Sequence, residues 1–124
     1  MRHFDLLEPK TLTEACRMLD AGDDVRPVSG GTALLILVKQ GLLRPRALVN
    51  LKKLEEGNGI SRDAAGAVRI EAMATIHEVE TSPVVRKHLP VLAGACHQVA
   101  NIRIRHLATI GGNLAHGDHQ SDPP

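Results

Sequence analysis

The stretch TIGGNLAHGDHQSDPP, residues 109–124, sets a Gly-Gly pair between apolar residues and a run of Asn, His and Asp. A second Gly-Gly lies far upstream in VSGGTALL, residues 28–35. Glycine takes positive φ readily and has no Cβ, so amide N–H groups around it can converge on a ligand. Where such a turn opens a helix, the first unpaired amides and the helix dipole favour an anion. A phosphate held in this way needs no lysine. The two turns therefore read as two halves of one anion site. Neither has the GxGxxG spacing with an acidic residue about 20 positions on, and neither carries the Lys-Ser/Thr of a P-loop.

Around the upstream turn the pattern is strand, turn, helix. Residues 25–29 read as a buried strand, Gly30-Gly31-Thr32 turns the chain, and ALLILVKQG reads as a short buried helix ended at Lys39-Gln40-Gly41. Before them, residues 3–7 read as a short strand that Pro9 ends. Thr11 then caps a helix, with Glu14 completing a capping box. Leu12, Ala15, Cys16 and Leu19 fall on one face of it, and Gly22 stops it. A further strand is expected near residues 47–50. The order βαβαβ implies a small parallel sheet with right-handed crossovers.

Residues 54–66 contain GNG and DAAG, which are turn material, so a boundary is expected near residue 55. The expected fold is α/β, α+β overall: a βαβαβ subdomain over residues 1–54 and the start of a second, incomplete α+β subdomain over residues 55–124. In the second, residues 68–74 alternate as a strand, and Thr75 and Glu78 form another capping box. Ser82 caps a helix with Pro83 at its first position. Pro90 opens one that runs through Leu92, Ala93, Cys96 and Val99. Residues 102–106 alternate apolar and basic and read as a strand leading into the second Gly-Gly, with Arg103 and Arg105 on a solvated face.

Composition closes several routes. Of 124 residues 43% are apolar, but Phe4 is the single aromatic, so aliphatic side chains must fill the core. Without Trp or Tyr the chain lacks stacking platforms for single-stranded nucleic acid, and a net charge of +1 gives no pull toward a polyanion. The first ten residues show no apolar signal segment. The longest apolar run, residues 33–38, is far too short to span a bilayer. Cys16 and Cys96 both fall in expected helices and read as free, mostly buried thiols. A reducing cytoplasmic location follows, with no nucleic-acid partner and no membrane insertion.

Candidate chemistry outside the glycine turns is thin. His116, Asp118 and His119 cluster, with His97 and His106 upstream, but an HxxH in a loop offers no third ligand at a dependable spacing. Solvated loop histidines are the preferred reading, and no metal is assigned. Glu78 beside His77 is explained by the capping box. No Ser-His-Asp or Cys-His arrangement stands out, so no catalytic residue is assigned, which suits a protein whose cofactor supplies the chemistry.

Three pieces carry a resemblance: SGGTALL, the run VANIRIRHLATIGGNLAH, and the closing D-x-x-x-D-P-P of Asp118, Asp122, Pro123 and Pro124. Together they resemble the N-terminal part of the FAD-binding (medium) subunit of molybdenum hydroxylases, a family that includes aerobic carbon monoxide dehydrogenases and xanthine dehydrogenases. The resemblance implies FAD lying extended between two subdomains, its pyrophosphate bound by backbone N–H groups of both glycine turns. On this chain it implies contacts from Ser29, Gly30, Gly31, Thr32, Ala33 and Leu34, and from Thr109, Ile110, Gly111, Gly112 and Asn113. It further implies Asp122 as an acidic contact, and Val99 and Ala100 lining the adenine side. The implied partners are a 2Fe-2S small subunit that feeds the flavin and a large subunit whose molybdenum cofactor hydroxylates substrate.

Two departures accompany it. His119 stands where the family often has Pro, and family members are usually more than twice this long. A stand-alone flavin oxidase or reductase of the same fold is the runner-up, although its covalent-flavin version commonly has His where this chain has Thr32. A truncated, partner-binding remnant is the third reading.

Overall fold

A computed structural model describes residues 3–123. The chain forms two compact units, one ending at Glu56 and the other beginning at Gly57. The first contains strands β1 (Asp5–Leu7), β2 (Val25–Val28) and β3 (Ala47–Asn50) and helices α1 (Leu12–Leu19) and α2 (Leu34–Lys39). All pairing is parallel, in the order β1-β3-β2, with Asp5 and Val25 both opposite Ala47. This is the βαβαβ sheet expected.

β3 is central, and Ala47, Leu48 and Val49 are all buried, as a strand covered on both faces requires. Successive side chains alternate, so Ala47 and Val49 join Ala15 and Val25 in one core cluster while Leu48 is not part of it. Full burial of a Val or Leu side chain such as Val49 or Leu48 contributes about 1.5–3 kcal/mol. β1 is shorter than the expected residues 3–7 because its ladder to β3 extends only from Asp5 to Leu7.

α1 packs over β2 and β3. Thr11 caps it through a 3.2 Å bond from the Glu14 amide, but the Glu14 carboxylate reaches back to the Lys10 amide rather than that of Thr11. The buried stripe is Ala15, Met18 and Leu19. Leu12 is 53% exposed and Cys16 is exposed, which corrects the expected helix face and the expectation of two buried thiols. Three short strands offer the helix only a narrow apolar seat, so the outer flank of its stripe stays in solvent. Cys96 is buried, and both cysteines are free.

The second unit begins with an antiparallel hairpin of β4 (Ile60–Arg62) and β5 (Val68–Ile70). β4 lies in the segment expected to be loop. The expected strand over residues 68–74 pairs only to Ile70. Five helices follow: α3 (Ile76–Thr81), α4 (Pro83–His88), α5 (Pro90–Gln98), α6 (Ile102–Leu107) and α7 (Ile110–His116). The capping box of Thr75 and Glu78 is present, and Ser82 with Pro83 starts α4. Ile76, Val79, Val85, Ala93, Cys96 and Val99 form the core, with Ile60 and Ile70 of the hairpin packed against it.

Residues 102–107 are helical, not the strand expected. The Asn101 side chain accepts from the amides of Arg103 and Ile104, at 3.0 and 3.1 Å, and starts a helix that the apolar–basic alternation conceals. Among the described residues no helix is long and apolar enough to cross a membrane.

Candidate functional site

The first glycine pair follows the carboxyl end of β2, where open α/β sheets place their ligands. Gly31 has φ +71°, and a Cβ there would meet Leu35 Cδ1 at 3.0 Å and Val28 Cγ2 at 3.5 Å. The Gly31 carbonyl accepts from the Leu35 amide, which fixes the turn onto α2. Among the described residues no protein acceptor meets the amide N–H of Gly30, Gly31, Thr32, Ala33 or Leu34. These residues are half-buried, so the loop presents a row of donors without partners. Such a row suits a phosphate, which accepts several hydrogen bonds and brings the charge that concentrated N–H dipoles favour.

The second pair is built in the opposite sense. Gly111 and Gly112 are not a turn but lie within the first turn of α7, which Thr109 caps. The Ile110 amide donates to Ala74 O at 3.0 Å and the Gly111 amide to Ala72 O at 2.8 Å. The Gly112 amide donates to Thr109 Oγ1 at 3.0 Å and the Asn113 amide to Thr109 O at 3.0 Å. All four donors are therefore engaged within the protein, unlike those of the first pair.

Gly111 is glycine for a packing reason: a Cβ would lie 2.7 Å from both the Cβ and the carbonyl oxygen of Ala72. Gly111→Val is expected to destabilise the protein by about 2–3 kcal/mol through overpacking against backbone that cannot retreat. Urea denaturation reads this directly, and a midpoint equal to wild type would dismiss the packing role.

Behind α7 the tail folds back on Asn113. Its Nδ2 donates to the Pro123 carbonyl at 2.9 Å, and its Oδ1 accepts from Ser121 Oγ at 3.3 Å. Asp118 receives the Gln120 amide, and Asp122 is exposed beside this anchor. Pro124, the last residue of the closing motif, lies outside the described residues. Val99 and Ala100 link α5 to α6. Val99 is buried, and exposed Ala100 has φ +41°, a left-handed conformation unusual for a residue with a Cβ.

The reading of the sequence missed Glu80. It is 8% exposed, on the apolar face of α3 beside Ile76 and Val79. Arg105 Nε donates to its carboxylate at 3.0 Å, His97 Nδ1 lies 2.6 Å away and His77 Nδ1 3.6 Å away. The His97 hydrogen bond, aided by the Arg105 charge and opposed by burial, holds the Glu80 carboxyl below its ordinary range. Arg105 is thus buried on a carboxylate, not spread on a solvated face, while Arg103 is exposed. The signal was a glutamate at a helical position otherwise aliphatic.

Among the described residues no three His, Cys, Asp or Glu side chains are grouped so as to hold a metal ion. His97 sits on Glu80, His106 stacks on His77 with ring centroids 3.9 Å apart, His116 ends α7 and His119 lies in the exposed tail. A cavity of about 280 Å³ in the first unit is lined by Phe4, Val38, Lys39, Leu43, Arg44 and Pro45. Phe4 and Pro45 precede β1 and β3, so it opens at the amino ends of the strands, away from the first glycine turn.

Comparison with known proteins agrees with this architecture. The family described as the FAD binding domain in molybdopterin dehydrogenase matches residues 2–124. The nicotinate dehydrogenase FAD-subunit of Eubacterium barkeri is 38% identical over 93% of this chain and 39% of its own length. The carbon monoxide dehydrogenase medium chain of Hydrogenophaga pseudoflava is 34% identical over 98% of this chain and 42% of its own. A solved structure of carbon monoxide dehydrogenase from that organism superposes with a TM-score of 0.92 at 33% identity, covering 98% of this chain and 42% of that one. The chain thus spans about two-fifths of the length of the relatives it matches. With the strand–Gly-Gly–helix loop and the parallel sheet in place, the chain belongs to the family of FAD-binding domains of molybdopterin dehydrogenases.

Proposed function

We propose that the protein is the FAD-binding part of the electron-transfer subunit of a molybdenum hydroxylase. The observation that carries this reading is the row of amides from Gly30 to Leu34 without protein acceptors, at the carboxyl end of a parallel strand. When bound, FAD would supply the redox chemistry. The chain's own part is to hold and orient it. Residues 29–34 take the diphosphate, where each hydrogen bond to a charged oxygen contributes about 1.5–3 kcal/mol.

In the second unit the amides of Ile110 and Gly111 are tied to Ala74 and Ala72, and those of Gly112 and Asn113 to Thr109. Contact with the cofactor there falls to side chains and to Asp122 in the tail that Asn113 anchors. Val99 and Ala100 line the adenine. In this reading a 2Fe-2S small subunit delivers the electrons, and a molybdenum-cofactor large subunit performs the hydroxylation. Two unpaired cysteines suit a cytoplasmic location.

The test is direct titration of the purified protein with FAD, followed by quenching of flavin fluorescence and by competition with ADP. Saturable binding, and recovery of the chain with iron–sulfur and molybdenum subunits from cells that express all three, are the expected results. A folded protein that leaves flavin fluorescence unchanged, alone and with those subunits, would sink the reading.

A further inference from the structure

We propose that Glu80 and Arg105 act together as a positioning latch that holds Ala100 in its left-handed conformation, and so sets the backbone that the turn between α5 and α6 presents to the cofactor. The inference rests on the reading of this chain as an FAD-binding protein. The geometry is specific. One arm of the Arg105 guanidinium meets the Glu80 carboxylate at 3.0 Å, and a second meets the Val99 carbonyl at 2.9 Å. That carbonyl belongs to the peptide joining Val99 to Ala100, so its direction is coupled to the conformation of Ala100. On one side the Val99 amide is tied to Cys96 O at 3.2 Å, and on the other Asn101 is committed to capping α6. The turn is thus held at three points, and the Arg105 bond fixes the middle one.

An alanine at φ +41° is strained, and such strain persists only where the surroundings over-determine it. Of the Glu80 partners, His97 has a side chain 65% exposed, while Arg105 carries the contact on to the Val99 carbonyl. The side chain of Glu80 is 10% exposed and that of Arg105 12%. A buried ion pair is a weak source of net stability, whereas a planar guanidinium can bridge a carboxylate and a carbonyl in one rigid geometry. Lysine can meet Glu80 but cannot hold both acceptors as the fork does.

The test uses Arg105→Lys, which keeps a cation beside Glu80 and therefore keeps the fold. Far-UV circular dichroism should match wild type, while the Kd for FAD rises about tenfold, the scale of one hydrogen bond. The backbone chemical shifts of Ala100 should move away from left-handed values. Adding Ala100→Gly should recover most of the lost affinity, because glycine takes φ near +40° without the methyl's penalty. A merely structural Arg105 would lose affinity only in parallel with stability, and glycine at 100 would restore neither. Wild-type shifts at Ala100 in Arg105→Lys, or a loss that Ala100→Gly leaves in place, overturns the latch. If wild type fails to bind FAD, the functional reading falls, and the Ala100 shifts alone decide the latch.

Discussion

Gly31→Asp is expected to weaken FAD binding at least a hundredfold, about 2.7 kcal/mol, while Gly31→Asn weakens it about tenfold. Both side chains tolerate a left-handed backbone better than other non-glycine residues, so both should fold with a penalty of about 1 kcal/mol. Both also push the new Cβ toward Leu35 Cδ1, 3.0 Å from the ideal position, and the end of a leucine side chain can yield. What separates them is charge. The aspartate carboxylate would sit among the amides of residues 30–34, take the hydrogen bonds meant for phosphate and repel the diphosphate besides. Fluorescence titration of the two variants at one ionic strength measures the gap. Equal affinities would mean that this loop does not hold the phosphates.

The largest loss of stability is expected from Glu80→Ala. It removes the partner of a buried guanidinium, and leaving one charge of a buried pair uncompensated costs about 3–5 kcal/mol. For a unit this small the thermal midpoint should fall by more than about 10 °C. Glu80→Gln keeps the shape and an acceptor for Arg105 and should cost distinctly less. The pair of variants also reports on acid sensitivity. The folded carboxyl of Glu80 is held below its ordinary value of 4.5. Its stabilising contribution is therefore complete above that value and is lost as pH falls through the lower folded value. Wild type should lose stability faster than Glu80→Gln as the solution is acidified below about pH 4.5. Parallel curves from urea denaturation at several pH values would show that the carboxylate charge contributes nothing.

What could be read from the chain alone followed how far each determinant acts. β3 was legible because Ala47, Leu48 and Val49 form a continuous apolar run between turns. The caps at Thr75 and Ser82 were legible because a cap and its partner lie three residues apart. β4 was not, since Ile60 is its one apolar residue and Gly57 and Gly59 precede it. α6 was misread because its apolar–basic alternation imitates a strand and conceals the Asn101 cap, and the burial of Arg105 was missed because it depends on Glu80, 25 positions earlier. The two Gly-Gly pairs make the point most sharply. Their sequences look alike, yet the amides of one meet no protein acceptor and those of the other are bonded to Ala72, Ala74 and Thr109. The carbonyls of residues 72 and 74 decide that difference, and nothing near residue 111 in the sequence announces them.

Because the donors from Gly30 to Leu34 belong to the peptide backbone, the grip proposed for them would not be encoded by the side chains of Thr32 and Ala33. Inherited changes at those two positions can accumulate while the same N–H groups remain in place. On that proposal the loop would bear change at those two positions more readily than at Gly31, where the backbone conformation itself is at stake.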